Sequence, residues 1–181
     1  KIPLYIAKTK AGYVWASERK AFDSGVKPVA VPPGHAFDLK SGKWLRWYKM
    51  PPKQSVTAAE VLSALREGVA QRLDADAPVC CLISGGLDSS LILSIARQLR
   101  KDVIAYTATF DKRSQDLQSA RMLCSDFGVN LIEVQADINM DAILKSINTI
   151  ELGSKAQVEI AAMCIPLAKR IYADGFRACL S

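Results

Sequence analysis

The stretch Val79-Cys80-Cys81-Leu82-Ile83-Ser84-Gly85-Gly86-Leu87-Asp88-Ser89-Ser90 decides the fold. It opens with a continuous apolar run, too short for a helix, with Pro78 before it and Ser84-Gly85-Gly86 after it, which predicts a strand buried on both faces. A helical pattern follows from about Leu87 to Arg100. Strand, glycine turn and helix in this order build a site for anions. The missing side chains let phosphate oxygens approach the backbone, and the helix start offers N–H groups that have no partner inside the helix. Ser84, Ser89 and Ser90 add hydroxyl donors. Asp88 stands out, because a carboxylate beside bound phosphates repels them unless a cation such as Mg2+ lies between; it is the candidate catalytic and metal-bridging residue. The plainer alternative is a tight turn followed by a first-turn carboxylate that the helix dipole favours.

Outward from this stretch, strands and helices alternate. Upstream, Val61, Leu62, Leu65, Val69 and Leu73 recur at helical spacing behind a Thr57 N-cap with Glu60 three residues later, a capping-box pattern. Downstream, the patterns predict a strand over Val103 to Phe110, a helix from about Asp116 to Phe127 and a strand over Val129 to Val134. A helix from about Lys155 to Ala173 follows, with Gly175 as its stop signal, and then a buried strand over Phe176 to Leu180. Such alternation implies an α/β fold with right-handed crossovers, a parallel sheet flanked by helices, and ligands at the carboxyl ends of the strands. Ser181 stands where the last strand should deliver a loop to that site, so the natural sequence is expected to continue.

The first fifty residues read differently, as short strands over Leu4 to Lys8, Gly12 to Ala16, Gly34 to Leu39 and Trp44 to Tyr48. Residues 49 to 56 lack periodicity and contain two prolines, which places a linker at 51–56 between a β-rich segment at 1–50 and the α/β domain at 57–181. With 50% hydrophobic and 23% charged residues, the chain of 181 residues has the balance of a folded protein. No apolar run approaches the roughly 20 residues of a membrane span, and the opening residues lack a signal-peptide pattern, which predicts a cytoplasmic protein. Five cysteines, an odd number without a CxxC pair, argue against disulfides and zinc. The net charge of +6 is spread along the chain, as on a solvated basic surface, and does not by itself call for nucleic acid.

The loop is not that of kinases and GTPases, since no lysine follows the second glycine, and no GxGxxG occurs. Ser84-Gly85-Gly86-Leu87-Asp88-Ser89-Ser90 after a buried strand resembles the SGGxDSS signature of the N-type ATP pyrophosphatases, which split ATP between its α and β phosphates. Within that superfamily the flanks are similar to the glutamine-hydrolysing asparagine synthetases. Pro3-Leu4-Tyr5, the segment Val14-Trp15-Ala16-Ser17-Glu18-Arg19-Lys20-Ala21-Phe22, and Val31-Pro32-Pro33-Gly34-His35 resemble the end of that family's glutaminase domain. Gly175-Phe176-Arg177-Ala178-Cys179-Leu180-Ser181 resembles the strand leading into its SGEGxDE loop.

The resemblance implies an adenine nucleotide alpha hydrolase-like PP-loop fold, preceded by a small β-rich remnant of an N-terminal nucleophile-type glutaminase domain. It implies that Ser84, Gly85, Gly86, Leu87, Asp88, Ser89 and Ser90 hold pyrophosphate, that Leu82 and Thr109 line adenine and ribose, and that Ser181 contacts the nucleotide. ATP and Mg2+ would be the cofactors. A carboxylate such as aspartate and ammonia from glutamine would be the substrates, with a homodimer compatible with all of this. In the family, the substrate carboxylate attacks the α phosphate, pyrophosphate leaves, and ammonia opens the acyl-adenylate.

Two departures qualify that picture. The N-terminal cysteine nucleophile of the family's glutaminase is not in this sequence. Where the family carries Thr-Thr-Ile-Arg to grip its amino-acid substrate, this chain reads Ala156-Gln157-Val158-Glu159, with a carboxylate in place of the arginine. A sister amide or β-lactam synthetase, a nucleotide-binding module without catalysis, and a transfer-RNA-modifying PP-loop protein therefore stay open. Among other residues, His35 beside Pro32-Pro33-Gly34 suits a structural turn, and Cys80 and Cys81 should point to opposite faces of one strand. Trp44 and Trp47 suit packing against the neighbouring domain. Lys112 and Arg113 suit either phosphate contact or solvent, and Asp116 either an active-site carboxylate or the N-cap of its helix.

Overall fold

Strand β1 (Tyr5–Thr9) returns through Lys10-Ala11 into β2 (Gly12–Ala16), with Gly12 at φ 127 and the Thr9 hydroxyl donating to its carbonyl at 3.0 Å. A computed structural model describes residues 3–52 and 55–181. The chain divides into two units between Ser55 and Val56. In the first unit β3 (Val29–Ala30) pairs with the other edge of β1. A second hairpin joins β4 (His35–Asp38) to β5 (Lys43–Arg46), its turn held by the Asp38 carboxylate, which accepts from Lys40 N at 3.0 Å and Ser41 N at 3.3 Å.

This hairpin is shorter than its sequence pattern suggests. It stops at Arg46 because the N–H groups of Trp47 and Tyr48 both turn to the Gly34 carbonyl, at 3.1 and 3.2 Å, instead of continuing the ladder. The Trp44 ring lies 4.8 Å from that of Phe37 within its own unit, while Trp47 is 73% exposed. Nδ1 of His35 lies 2.9 Å from the Pro33 carbonyl, a local turn contact. The expected linker over 51–56 includes residues 53 and 54, which lie outside the described residues.

The second unit opens with α1 (Ala58–Leu73). Thr57 Oγ1 accepts from Glu60 N at 3.3 Å and Glu60 Oε2 accepts from Thr57 N at 2.8 Å, so the capping box satisfies two amide donors that a helix start leaves without partners. Only the second half of the apolar stripe is covered: Val69 and Leu73 are buried, whereas Val61 and Leu62 are exposed. Then follow β6 (Val79–Leu82), α2 (Leu87–Leu99), β7 (Ile104–Thr109), α3 (Gln115–Phe127) and β8 (Asn130–Gln135). Next comes α4 (Met140–Ile150), which the sequence reading did not foresee; Asn139 Oδ1 caps it by accepting from Ala142 N at 2.8 Å. Finally α5 (Lys155–Ala173) ends at Gly175, φ 93, and leads to β9 (Ala178–Leu180).

All pairings in this sheet are parallel and the order is β8-β7-β6-β9. From β6 the chain steps outward to β7 and β8, then returns to lay β9 on the opposite edge of β6. The strand order thus reverses between β6 and β9, and in open α/β sheets the crevice at the carboxyl ends beside such a reversal is where ligands bind. Helices cover both faces. Val69 and Leu73 of α1, Leu93 and Ala96 of α2, and Ala120 of α3 join Cys81 and Ile83 in one core; Leu167 and Ile171 of α5 join Cys80 and Tyr106 in the other. Cys80 and Cys81 therefore do face opposite sides. Among the described residues no helix is long and apolar enough to cross a membrane.

Candidate functional site

The candidate anion-binding loop begins where β6 ends. Ile83 N donates to the Tyr106 carbonyl at 2.9 Å, which carries the pairing with β7 to the edge of the loop. Gly85 then takes φ 80, in the left-handed region that favours glycine. A Cβ there would collide with the backbone carbonyl of Asp116 in the first turn of α3 and stand 3.0 Å from Cβ of Ser119. Gly86 is the N-cap of α2 and, having no side chain, leaves the first-turn amides without a side-chain cap.

The serines fold inward upon this turn. Ser89 Oγ accepts from Ser84 N at 3.2 Å, donates to the Gly86 carbonyl at 3.2 Å and lies 3.0 Å from Ser84 Oγ. Ser90 Oγ donates to the same carbonyl at 2.6 Å. Leu87 is 83% exposed and Asp88 beside it is exposed, so the outer side of the loop is open. The arrangement offers backbone amides and a helix dipole to an anion, with one carboxylate at the rim. Among the described residues no group of three or more His, Cys, Asp and Glu side chains could hold a metal ion. The single carboxylate at the rim, Asp88, is of the kind Mg2+ takes, with water and phosphate oxygens completing its shell when it binds beside phosphates.

The other expected contacts fall at three places. Leu82, at the carboxyl end of β6, lines a cavity of about 350 Å3 on the α5 face with Ile171 and Phe176. Ser181 lines a different cavity of about 460 Å3 with Leu65 and Val69 of α1 and Ile92 of α2. In the register of β6 with β9, where Cys81 partners Leu180, Ser181 stands one step on, level with Leu82. Thr109, at the carboxyl end of β7, is 6% exposed and its Oγ1 donates to the Asp111 carbonyl at 2.7 Å. Arg113 Nε lies 3.5 Å from Asp111 Oδ1 and its side chain is open to solvent. Glu159 lies 3.8 Å from Lys155 one helical turn earlier on α5.

Asp116 does not cap α3. Ser114 does, accepting from Leu117 N at 3.3 Å, so the carboxylate is a first-turn residue and its backbone carbonyl is what meets Gly85. Ser114 is the residue that sequence reasoning missed; a serine just ahead of the apolar-periodic Leu117 and Ala120 was the available signal.

A strand, an SGG turn and a helix at the reversal point of a parallel sheet define the class: a PP-loop α/β domain. In sequence, the Asparagine synthase family model matches residues 60–181. An Arabidopsis thaliana protein named asparagine synthetase [glutamine-hydrolyzing] 3 is 31% identical over 99% of this chain and 34% of its own length. A Dictyostelium discoideum protein named probable asparagine synthetase [glutamine-hydrolyzing] is 39% identical over 52% of this chain and 19% of its own. Among solved structures, the NH3-dependent NAD synthetase of Campylobacter jejuni matches 68% of this chain and 56% of its own with a TM-score of 0.50 and 15% identity, a likeness of fold alone. The chain belongs to the Asparagine synthase family. It spans about a third of the length of the curated relatives first matched.

Proposed function

We propose that the protein takes part in ATP-dependent amide formation: a carboxylate is adenylated with release of pyrophosphate and then transferred to ammonia, with glutamine as the ammonia source. The observation that carries this is the Ser84–Ser90 loop, with its glycine N-cap and single carboxylate, at the reversal point of the sheet. The amides at the start of α2 and the hydroxyl-braced turn receive the pyrophosphate, and stabilise charge as it grows on the leaving group. Leu82 and Ser181, level with each other at the ends of the adjacent strands β6 and β9, stand on the adenosine side. Asp88 would hold Mg2+, which when bound neutralises charge between the phosphates and the carboxylate.

Residues 1–50 are proposed as the closing strands of a glutaminase-like domain, ahead of the 51–56 linker and the synthetase domain from 57. A cytoplasmic location and a homodimer are part of the same proposal. Glu159 supports a second reading of the substrate. A carboxylate where the family places an arginine disfavours an anionic amino acid, which makes a sister amide synthetase with another acceptor the alternative to aspartate.

The deciding experiment is ATP–pyrophosphate exchange by the protein, scanning aspartate against other amino acids and carboxylates, with Asp88→Ala as control. Aspartate-dependent exchange lost in the variant supports asparagine synthesis, and exchange with another acid supports the sister activity. No exchange with any acid would sink the amide-forming proposal.

A further inference from the structure

One hydroxyl knits the turn between β7 and α3. A threonine has a single O–H to give, and Thr109 gives it to the Asp111 carbonyl at 2.7 Å while accepting from Asp111 N at 3.1 Å. Ser114 Oγ lies 3.4 Å from Thr109 Oγ1, and with the threonine proton already placed, the serine must be the donor there. Ser114 Oγ meanwhile accepts from Leu117 N at 3.3 Å, and Ser114 N donates to the Asp111 carbonyl at 3.0 Å. These bonds fix where α3 begins.

The start of α3 is in turn what the phosphate loop rests on. Gly85 lies against the Asp116 carbonyl and Ser119 with no space for a Cβ, so the position of that first turn sets the position of Gly85. Gly85 immediately precedes the N-cap of α2, and its placement aims the amides that follow.

We infer that Thr109 and Ser114 are positioning residues for the phosphate loop: their hydroxyls hold the first turn of α3, and that turn holds Gly85. The inference rests on the nucleotide-site reading given above. It separates the Thr109 hydroxyl, whose proton is spent on backbone and whose residue is 6% exposed, from any direct bond to a ribose. A ligand contact would weaken every ligand carrying adenosine. A positioning role weakens only ligands whose phosphates the loop grips.

The test is calorimetric titration of the protein, with Mg2+ present, by ATP, by pyrophosphate and by adenosine, for the parent, Thr109→Val, Thr109→Ser and Ser114→Ala. Thr109→Val and Ser114→Ala are expected to weaken ATP and pyrophosphate by about fivefold to tenfold, the scale of one hydrogen bond, while adenosine binding holds and Thr109→Ser restores the parent values. Adenosine weakened in parallel with ATP in Thr109→Val, or phosphate ligands bound as in the parent, overturns the inference alone. A parent that binds neither ATP nor pyrophosphate overturns the nucleotide site and the inference with it. Should Thr109→Val fail to fold, Ser114→Ala, at the half-buried cap, decides by the same comparison.

Discussion

Tyr106, with no surface exposed, donates its hydroxyl to Oδ2 of Asp174 at 2.8 Å and thereby ties the middle of the sheet to the end of α5. Asp174 also receives Arg170 Nε at 2.8 Å, and the tyrosine bond followed by the arginine holds its carboxyl below the usual range.

Tyr106→Phe removes that bond from a buried site and should lower stability by about 1 kcal/mol in urea unfolding at neutral pH. The alkaline limb gives a second readout. Burial first, and then the Asp174 acceptor, push the phenol from its ordinary 10.0 up to about 12. A group whose folded pKa is raised stabilises fully below its unfolded value and loses that contribution as pH climbs to the folded one. Stability of the parent should therefore fall between pH 10 and 12 more steeply than that of the phenylalanine variant. Cys80 and Cys124, raised to about 11, and Cys81, raised to about 12, act with the same sign in both proteins, so the difference reports the tyrosine together with its repulsion from the Cys80 thiolate. Parallel curves would show that the hydroxyl titrates as if in water.

Gly85→Ala should cost about 1–3 kcal/mol for placing a side chain at positive φ, with the collision against the Asp116 carbonyl added to it. Gly86→Ala makes the contrast, because Gly86 has φ −80 and a Cβ there would meet only Ser84 Oγ at 3.4 Å. Thermal unfolding should fall for the first and stay near the parent for the second, while ATP binding weakens in both. Equal thermal losses would contradict the geometry of the turn.

Asp88→Asn keeps the shape of the first turn of α2 and removes the charge proposed to meet Mg2+. The unfolding transition should be unchanged within error, since the residue is exposed, whereas the Mg2+ concentration for half-maximal ATP–pyrophosphate exchange should rise several-fold. An unaltered Mg2+ dependence would remove Asp88 from the metal.

Leu93 has no exposed surface and stands in the core that α1, α2 and α3 share with Cys81 and Ile83. Leu93→Ala should destabilise by about 2–5 kcal/mol through lost burial and the cavity left behind. Denaturant midpoints measured at constant slope would check it; a loss near zero would mean that the layer collapses freely onto the gap.

What the sequence made legible was short-range. The Thr57 and Glu60 capping box, the apolar run into Ser84-Gly85-Gly86 and the Gly175 stop each depend on neighbours within a few residues, and each forms as the pattern predicts. The α4 segment was harder, because Ile143, Ile147, Thr149 and Ile150 are β-branched and blur a helical pattern that Asn139 nevertheless caps. The placement of β9 beside β6 is a pairing between strands nearly a hundred residues apart, which no local pattern encodes. The candidate site divides the same way. Ser84 to Ser90 could be read from type and spacing, but the support of Gly85 by Asp116 and the prior engagement of the Thr109 hydroxyl exist only once α3 is docked.

Cys80 and Cys81 are joined by one peptide bond yet belong to the two cores on opposite sides of the sheet. They amount to a pair of reporters at one address. In pulse labelling with a thiol reagent during warming or denaturation, whichever sulfur is modified first names the layer that has opened, with no probe introduced. Fragment masses from a single peptide would thus record whether α5 or the three-helix side lets go of the strand that leads into Ser84-Gly85-Gly86.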